Sequence, residues 1–364
     1  MIHHEKETHL LVLAGDGIGP EIMEATLAVL ARVDEQFRLG LTFRSGIIGL
    51  EALTSVGTTF PETVFNLATM ADGIILGPVS HDEYPPVAEG GLNPSGELRK
   101  RLDLFANIRP ARSRSGLPAS CGKDIDLVIV RENTEGFYAD RTLYSGPGEF
   151  MPTPDLAMSV RKVTRRASTR IAETAFELAQ ERRRKVTAVH KANVLRISDG
   201  LFLDCVREVA GLYTDVEYEE RLVDAMAALL VRDPSQFDVV LTTNMFGDIL
   251  SDEASEISGS LGLAASLNAG SDHAAAQAQH GSAPDIAGRN LANPSSLIGS
   301  SAMLMAWLGE RRNEERFNKA AHAIEQALDR TIADPHTRTA DMGGNLSTSA
   351  FARCVADHLD TPAD

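Results

Sequence analysis

The run FDVVLTTNMFGDILSD at positions 237–252 constrains this chain more than any other stretch of it. Five residues without a charge, Val239 to Thr243, lead through a polar turn into a segment in which Asp248 and Asp252 stand four apart. That is strand, turn and helix, the unit from which α/β sheets are built. Residues i and i+4 share a helix face. Both carboxylates therefore point toward whatever lies beyond the carboxyl end of the strand, where open α/β sheets bind ligands. Two like charges so close call for a positive partner, and oxygen-only donors favour a hard divalent cation such as Mg2+ or Mn2+. The same spacing also suits a solvated helix face whose acids lie near the N-terminus, where the dipole favours them. The run alone does not separate the two.

Composition narrows the class. With 364 residues the chain suits two lobes, and its 43% hydrophobic and 24% charged residues are those of a soluble globular protein. A formal charge of -16 repels polyphosphate, so neither nucleic acid nor an anionic membrane surface is expected as a partner. Cys121, Cys205 and Cys354 lie far apart with no CxxC spacing, which argues against a metal cluster or a disulfide framework and suits a reducing cytoplasm. The polar N-terminus runs directly into a strand, with no apolar stretch long enough for a signal peptide or a membrane span.

Along the chain, Leu10 to Ala14, Ala71 to Leu76, Asp126 to Val130 and Lys185 to His190 read as strands. Helices are expected from Pro20 to about Arg32, from Thr164 to Arg183 and around Gly200 to Val209. This alternation implies an α/β architecture with a mostly parallel sheet. The run Arg182 to Lys185 closes a helix, where cations complement the dipole. The stretch from Ser266 to Pro284, rich in Ala, Gln, Asn, Gly and Ser, reads as a surface loop. Gly15, Gly17 and Gly19 are spaced GxGxG, which is neither the GxGxxG of the dinucleotide fold nor a P-loop.

Three arginines complete the pattern. Arg99 and Arg109 flank residues 100–108, and Arg131 follows the strand Asp126 to Val130 and opens RENTEGFY. Guanidinium groups bind carboxylates bidentately. Singly each could be a salt-bridge partner; with paired aspartates at another strand end they describe a site for a metal-bound dicarboxylate.

With these residues in place the chain resembles the β-decarboxylating dehydrogenases of 2R-hydroxy acids, the family of 3-isopropylmalate, isocitrate, homoisocitrate, tartrate and D-malate dehydrogenases. Six segments in order carry the resemblance: GDGIGPE at 15–21, Leu98-Arg99-Lys100 to Arg109-Pro110, RENTEG at 131–136, HKANV at 190–194, NMFGDILSD at 244–252 and HGSAPDIAG at 280–288. The resemblance implies the isocitrate/isopropylmalate dehydrogenase-like fold, two α/β domains around a mostly parallel sheet, distinct from the Rossmann fold and so in keeping with the glycine spacing. It further implies a large cofactor-binding domain formed by 1–104 with 259–364, and a small domain, 105–258, holding the interface of a homodimer.

The family's roles fall on matching positions. Arg99, Arg109 and Arg131 would hold the substrate carboxylates. Asp248 and Asp252 would bind Mg2+ or Mn2+, with Asp224 reaching in from the partner subunit. Lys191, also crossing from the partner, would accept the hydroxyl proton, its ammonium pKa lowered by the metal and the arginines. Tyr138 would protonate the enol carbon. A carboxylate at Asp285 accepts hydrogen bonds from ribose hydroxyls and repels a 2'-phosphate, which implies NAD; NADP-using relatives carry lysine and tyrosine where this chain has Asp285 and Ile286. His280, Gly281, Ser282, Ala283 and Asn293 belong to the same cofactor segment.

Substrate choice reads less plainly. Isopropylmalate enzymes place paired leucines at positions matching Ser95 and Gly96 and an acid matching Leu92; small polar residues here offer no apolar wall. Asn93 and Pro94 also read simply as helix cap and first residue. Val194, counted with Ser95 among the substrate-side residues, matches isopropylmalate and homoisocitrate members, while HKAN with SDGLF at 198–202 resembles NAD-linked isocitrate enzymes. Gln277 stands where the family often has Glu. The expected reaction is NAD- and metal-dependent oxidative decarboxylation of a 3-substituted (2R)-malate, of 3-isopropylmalate or isocitrate/homoisocitrate type. Alternatives are a tartrate or D-malate dehydrogenase, or a non-catalytic regulatory subunit of an NAD-linked isocitrate dehydrogenase.

Overall fold

The computed structural model of the chain describes residues 7–138 and 148–359; the extreme N-terminal residues of the polar leader lie outside it. From the N-terminal side the order is β1 (Thr8–Leu13), α1 (Gly19–Phe37), β2 (Leu41–Ser45), α2 (Gly49–Val56), α3 (Glu62–Met70), β3 (Gly73–Leu76) and α4 (Pro94–Arg101). Next come β4 (Ala106–Arg112), β5 (Asp126–Glu132), β6 (Glu149–Thr153), β7 (Leu156–Ser159), α5 (Arg165–Gln180), β8 (Lys185–His190) and α6 (Ser198–Ala210). They are followed by β9 (Glu217–Leu222), α7 (Val223–Arg232), β10 (Val239–Thr242) and α8 (Asn244–Ser258). The last elements are β11 (Leu267–Ala269), β12 (Ala274–Gln277), α9 (Ser295–Arg312), α10 (Glu315–Ala333) and α11 (Thr348–Leu359). Strands alternating with helices make this an α/β protein. Among the described residues no helix is long and apolar enough to cross a membrane.

The chain divides into two compact units. One holds the chain up to Leu98, Arg114–Pro118 and the chain from Gly259 onward. Its strands lie in the order β2-β1-β3-β12-β11, with β1, β2, β3 and β12 parallel and β11 antiparallel to β12. Helix α1 buries Ile22, Val29 and Val33 against this core, and Pro20 occupies its first turn. The apolar stripe continues past Arg32 to Phe37, so the helix runs a turn longer than expected and stops at Arg38 in the left-handed region (φ 54°).

The stretch from Ser266 to Pro284 is not a surface loop. β11 and β12 are buried strands, and Ala274, Ala275 and Ala276 are at most 1% exposed. The small side chains of these alanines let α9 pack closely on β12. Helix α9 also carries small buried residues, Ser296, Gly299, Ser300 and Ser301. Their hydroxyls donate to helix carbonyls, Ser300 to Ser296 O (2.7 Å) and Ser301 to Leu297 O (2.8 Å), so burial leaves them partnered.

The second unit comprises Arg99–Ser113 and Ala119–Ser258. Its strands lie in the order β4-β5-β10-β8-β9, with β4 antiparallel to β5 and the other four parallel. The central strands are apolar on both faces, as parallel strands covered by helices must be. Val128, Val130, Val186, Ala188, Val239 and Leu241 pack with Phe176 of α5 and Phe202 of α6. The alternate residues Ile129, Val189 and Val240 pack with Met226 and Leu230 of α7 and Leu250 of α8. Burying each phenylalanine contributes about 2–3 kcal/mol relative to leaving it exposed. The basic run lies just beyond α5, which ends at Gln180, and its charges are taken up locally: Arg182 pairs with Asp126 and Asp238, Arg183 with Asp126 and Arg184 with Asp215.

Candidate active site

The parallel strands of the second unit bring its chemical groups to one edge. Arg131 is the next-to-last residue of β5, β10 runs into the helix that carries Asp248 and Asp252, β8 runs into Lys191, and β9 into Asp224 at the start of α7. This is the carboxyl end of the sheet, where the chain leaves each strand and side chains are free of ladder geometry.

Two clusters result. In the first, Arg131 is almost wholly buried, at 2% exposure, and its guanidinium forks: Nε and Nη2 donate to Asn244 Oδ1 (3.0 and 2.6 Å), while Nη1 pairs with Asp248. Asn244 is held in turn by donating Nδ2 to the carbonyl of Glu135 (2.8 Å). Arg131 passes over the first turn of α8 because residue 247 is glycine; a Cβ there would lie 2.7 Å from Arg131 Cβ and Cγ. Arg109 Nη1 donates to Ser251 Oγ (2.7 Å), Asp252 Oδ1 (3.2 Å) and Asp248 Oδ1 (3.4 Å), and so occupies the place between the aspartates. Arg109 Nε is buried with no hydrogen-bond partner among the described residues. The Arg131 guanidinium stands 5.6 Å from the ring centre of Tyr138, which is 54% exposed.

Positive charge is concentrated in this cluster. Burial, with Arg131 and Arg109 adding, lowers Arg99 to about 9, and burial with Arg131 lowers Arg109 to about 10. Burial also lowers Arg131, against the opposing pull of Asp248. All three stay cationic at neutral pH. The guanidinium groups of Arg109 and Arg131 repel each other and that of Arg99, while Asp248 draws on all three. The phenol of Tyr138 is raised by partial burial first and by the Asp248 carboxylate second.

The second cluster is Lys191 with Asp224, joined by an ion pair from Nζ to Oδ1 that lowers the Asp224 carboxyl. Among the described residues no three His, Cys, Asp or Glu side chains are grouped to hold a metal, so within one chain Asp224 does not join Asp248 and Asp252. Val194, in the loop after Lys191, is 67% exposed.

The first unit holds residues 280–293, the segment to which the resemblance gives the cofactor. Ser282 accepts the N–H of Ile18 on its carbonyl (2.8 Å) and shares a hydrogen bond with Ser80 through its hydroxyl (2.7 Å). The GxGxG turn packs here backbone to backbone: a Cβ on Gly17 (φ 57°) would lie 2.0 Å from Ser282 O. Ala283 takes a left-handed conformation, and Asp285 and Ile286 follow in the single turn Pro284–Ile286 with Asp285 exposed. Asn293 donates to Asp341 (2.9 Å) and accepts the N–H of Ser295 at the start of α9. His280 Nδ1 lies 3.0 Å from the Gly281 carbonyl, Nε2 is buried with no hydrogen-bond partner among the described residues, and burial lowers the imidazole, keeping it neutral. A Cβ on Gly281 would meet open space.

Asn93 and Pro94 do start α4, with Asn93 accepting the N–H of Gly96 (3.1 Å). Ser95 is more than spacing: buried, it donates to Gln277 Oε1 (2.9 Å), which also accepts from Asn268 (3.1 Å). Asn244 and Ser251, which hold Arg131 and Arg109, carried no role in the sequence reading. They lie four before and three after Asp248, and that helical spacing is the signal that could have found them.

The sequence profile described as isocitrate/isopropylmalate dehydrogenase matches residues 9–355. The chain is 42% identical over 348 residues to a 3-isopropylmalate dehydrogenase of Sulfurisphaera tokodaii, covering 96% of this chain and 98% of that one. It is 38% identical over 349 residues to the isocitrate dehydrogenase [NAD] catalytic subunit 6 of Arabidopsis thaliana, covering 95% and 87%. The solved structure of isocitrate dehydrogenase from Methylococcus capsulatus superposes with a TM-score of 0.86 at 36% identity, over 97% of this chain and all of that one. Its α/β architecture, the site residues at its strand ends and these matches along nearly its whole length agree: the chain belongs to the isocitrate/isopropylmalate dehydrogenase family of oxidoreductases.

Proposed function

We propose that the protein is an NAD- and divalent-metal-dependent dehydrogenase that oxidises and decarboxylates a 3-substituted (2R)-malate. The observation that carries this reading is the cluster of Arg99, Arg109 and Arg131 around Asp248 and Asp252, with a buried Arg109 Nε that has no hydrogen-bond partner among the described residues. That charge arrangement suits a ligand with at least two carboxylates. The donor set also fits a hard cation: it is all oxygen, and Asp248 and Asp252 remain 33% and 54% exposed at their side chains. The buried Nε2 of His280, which has no partner among the described residues, and the open space at Gly281 fit a cofactor along residues 280–293.

In this reading the arginines clamp the two malate carboxylates and fix C2 and C3 in place. A Mg2+ or Mn2+ ion on Asp248 and Asp252, with Asp224 from a second copy, would supply Lewis acidity at the 2-oxygen, and NAD would accept the hydride. Lys191, as the amine, takes the hydroxyl proton at Nζ. Tyr138 gives a proton to C3 after the β-carboxylate has left. Asp285 receives the ribose hydroxyls.

A homodimer is part of the proposal. The β6–β7 ribbon exposes Phe150, Met151, Leu156 and Met158, and a two-stranded ribbon with an exposed apolar face is marginal alone. A second copy would cover it. None of the three cysteines is disulfide-bonded, which suits a cytoplasmic enzyme.

The small polar environment at Ser95 and Gln277 weighs against an apolar C3 group, and substrate choice rests on assay. Purified protein is tested for NADH production with Mn2+ on D-malate, tartrate, isocitrate, homoisocitrate and 3-isopropylmalate. Turnover of at least one is expected; turnover of none would overturn the reading.

A further inference from the structure

Asp199 is fully buried in the first turn of α6 and has no part in the chemistry above. Its Oδ2 accepts the backbone N–H of Lys191 at 2.6 Å, and its own N–H donates to the carbonyl of Leu195 at 3.0 Å. The Lys191 carbonyl accepts the N–H groups of Val194 (2.9 Å) and Leu195 (2.8 Å). The loop that presents Lys191 is thus closed on one residue. Packing contributes little to it: Val194 is 67% and Ile197 90% exposed.

The other oxygen of Asp199 receives Arg161 Nη1 at 2.5 Å. Arg161 is itself only 9% exposed at its side chain. Nη1 also donates to Ser198 Oγ (3.2 Å), Nη2 donates to Thr243 Oγ1 (2.9 Å), and the guanidinium stands 5.4 Å from the ring centre of Phe246. Thr243 is the residue before α8, the helix that carries Asp248 and Asp252. One fork therefore ties the Lys191 loop to the root of the metal-side helix. A buried ion pair gains little stability over an apolar replacement, so stability alone is a weak reason for this arrangement. Its directional bonds do what apolar packing cannot: they set the backbone from which a long, flexible lysine must reach.

We propose that Arg161 and Asp199 are positioning residues for Lys191, fixing its loop for proton transfer. This rests on the reading that Lys191 moves the substrate proton, and it adds two residues outside the substrate, metal and cofactor sets.

The test uses the full chain, with NAD, Mn2+ and the best substrate of the screen. Asp199→Asn and Arg161→Lys should each lower kcat about 100-fold with KM for substrate and NAD changed less than about threefold, as a misplaced catalytic group requires. Arg161→Lys keeps the charge but loses the fork. Because the two residues act as a unit, the double variant should be no worse than either single one. Thr243→Val, which removes one outer bond, serves if the others do not fold, and should lower kcat about tenfold with KM held. In the apoprotein, the rate at which an amine-reactive ester labels Lys191, read by mass spectrometry, should change in the variants while that of exposed Lys319 does not. Unchanged kcat, multiplicative losses, a KM rise that matches the kcat loss, or unchanged Lys191 labelling would overturn the proposal. A parent inactive on every substrate would instead overturn the functional reading, and the labelling would still report on the loop.

Discussion

Lys191 Nζ is paired with the Asp224 carboxylate where β8 and β9 hand over to loop and helix, away from the aspartates of α8. Each residue holds the other's charge within the chain. If both serve a second copy, as the functional reading requires, a Lys191→Ala chain and an Asp248→Ala chain each lack a different half of the site. Mixed and reassembled, they should regain part of the lost activity through heterodimers that contain one intact site. No recovery in heterodimers shown to form would mean that each site is built from one chain.

Metal dependence follows from the α8 carboxylates. Arg109 and Arg131 already pair with Asp248, so its replacement disturbs both the cation site and the arginine clamp. Asp248→Asn should cost about 3 kcal/mol or more in kcat/KM, comparable to loss of a key electrostatic group. Excess EDTA should abolish turnover and Mn2+ restore it. Full activity in EDTA would rule out this chemistry.

How far the sequence carried depended on the kind of interaction. The strands of the second unit were legible because Val128 to Val130 and Val239 to Leu241 are apolar runs bounded by turns, and Lys185–His190 was read to the residue. β12 was not, because three alanines carry no strand propensity and their burial depends on the serine-lined face of a helix about twenty residues later. In the site, the spacing of Asp248 and Asp252 announced a positive partner. That Arg109 lies between them needed the register of β4 on β5, which no local pattern encodes.

Gly247 offers a test of that packing. In Gly247→Ala the new Cβ meets Arg131 Cβ and Cγ at 2.7 Å, and Arg131, at 2% exposure, has little room to yield. The gain in helix propensity should be outweighed, with a net loss of about 1–3 kcal/mol in stability and a raised KM for the hydroxy acid. Denaturant melts and initial rates measure both. A more stable variant with unchanged KM would show that the Arg131 stem adjusts freely.

Glu135 sets a pH dependence of stability. Burial, with Glu132 adding and the N–H of Thr164 opposing, raises its carboxyl from 4.5 to about 7. A raised folded-state value means that the folded chain holds the proton more tightly than the unfolded one. The stabilisation is complete below 4.5 and is lost as pH rises through about 7. Glu135→Gln keeps an acceptor for Thr164 and removes the titration. The Tm of the parent minus that of the variant should therefore fall between pH 4.5 and about 7. A difference that is flat or rises over that window would contradict the assignment.

The cofactor prediction turns on Asp285, exposed in the turn Pro284–Ile286. If its carboxylate receives the ribose hydroxyls, NADP loses a charge-assisted hydrogen bond and brings a phosphate toward a like charge. NAD should then be preferred by roughly 2 kcal/mol or more in kcat/KM. Asp285→Lys combined with Ile286→Tyr removes the repulsive group and adds an attractive one, so the preference should move toward NADP. The turn itself should survive, because Pro284 and the left-handed Ala283, which shape it, are untouched. Measuring kcat/KM for both cofactors in parent and double variant decides the matter: equal use of NAD and NADP by the parent would mean that Asp285 does not face the ribose.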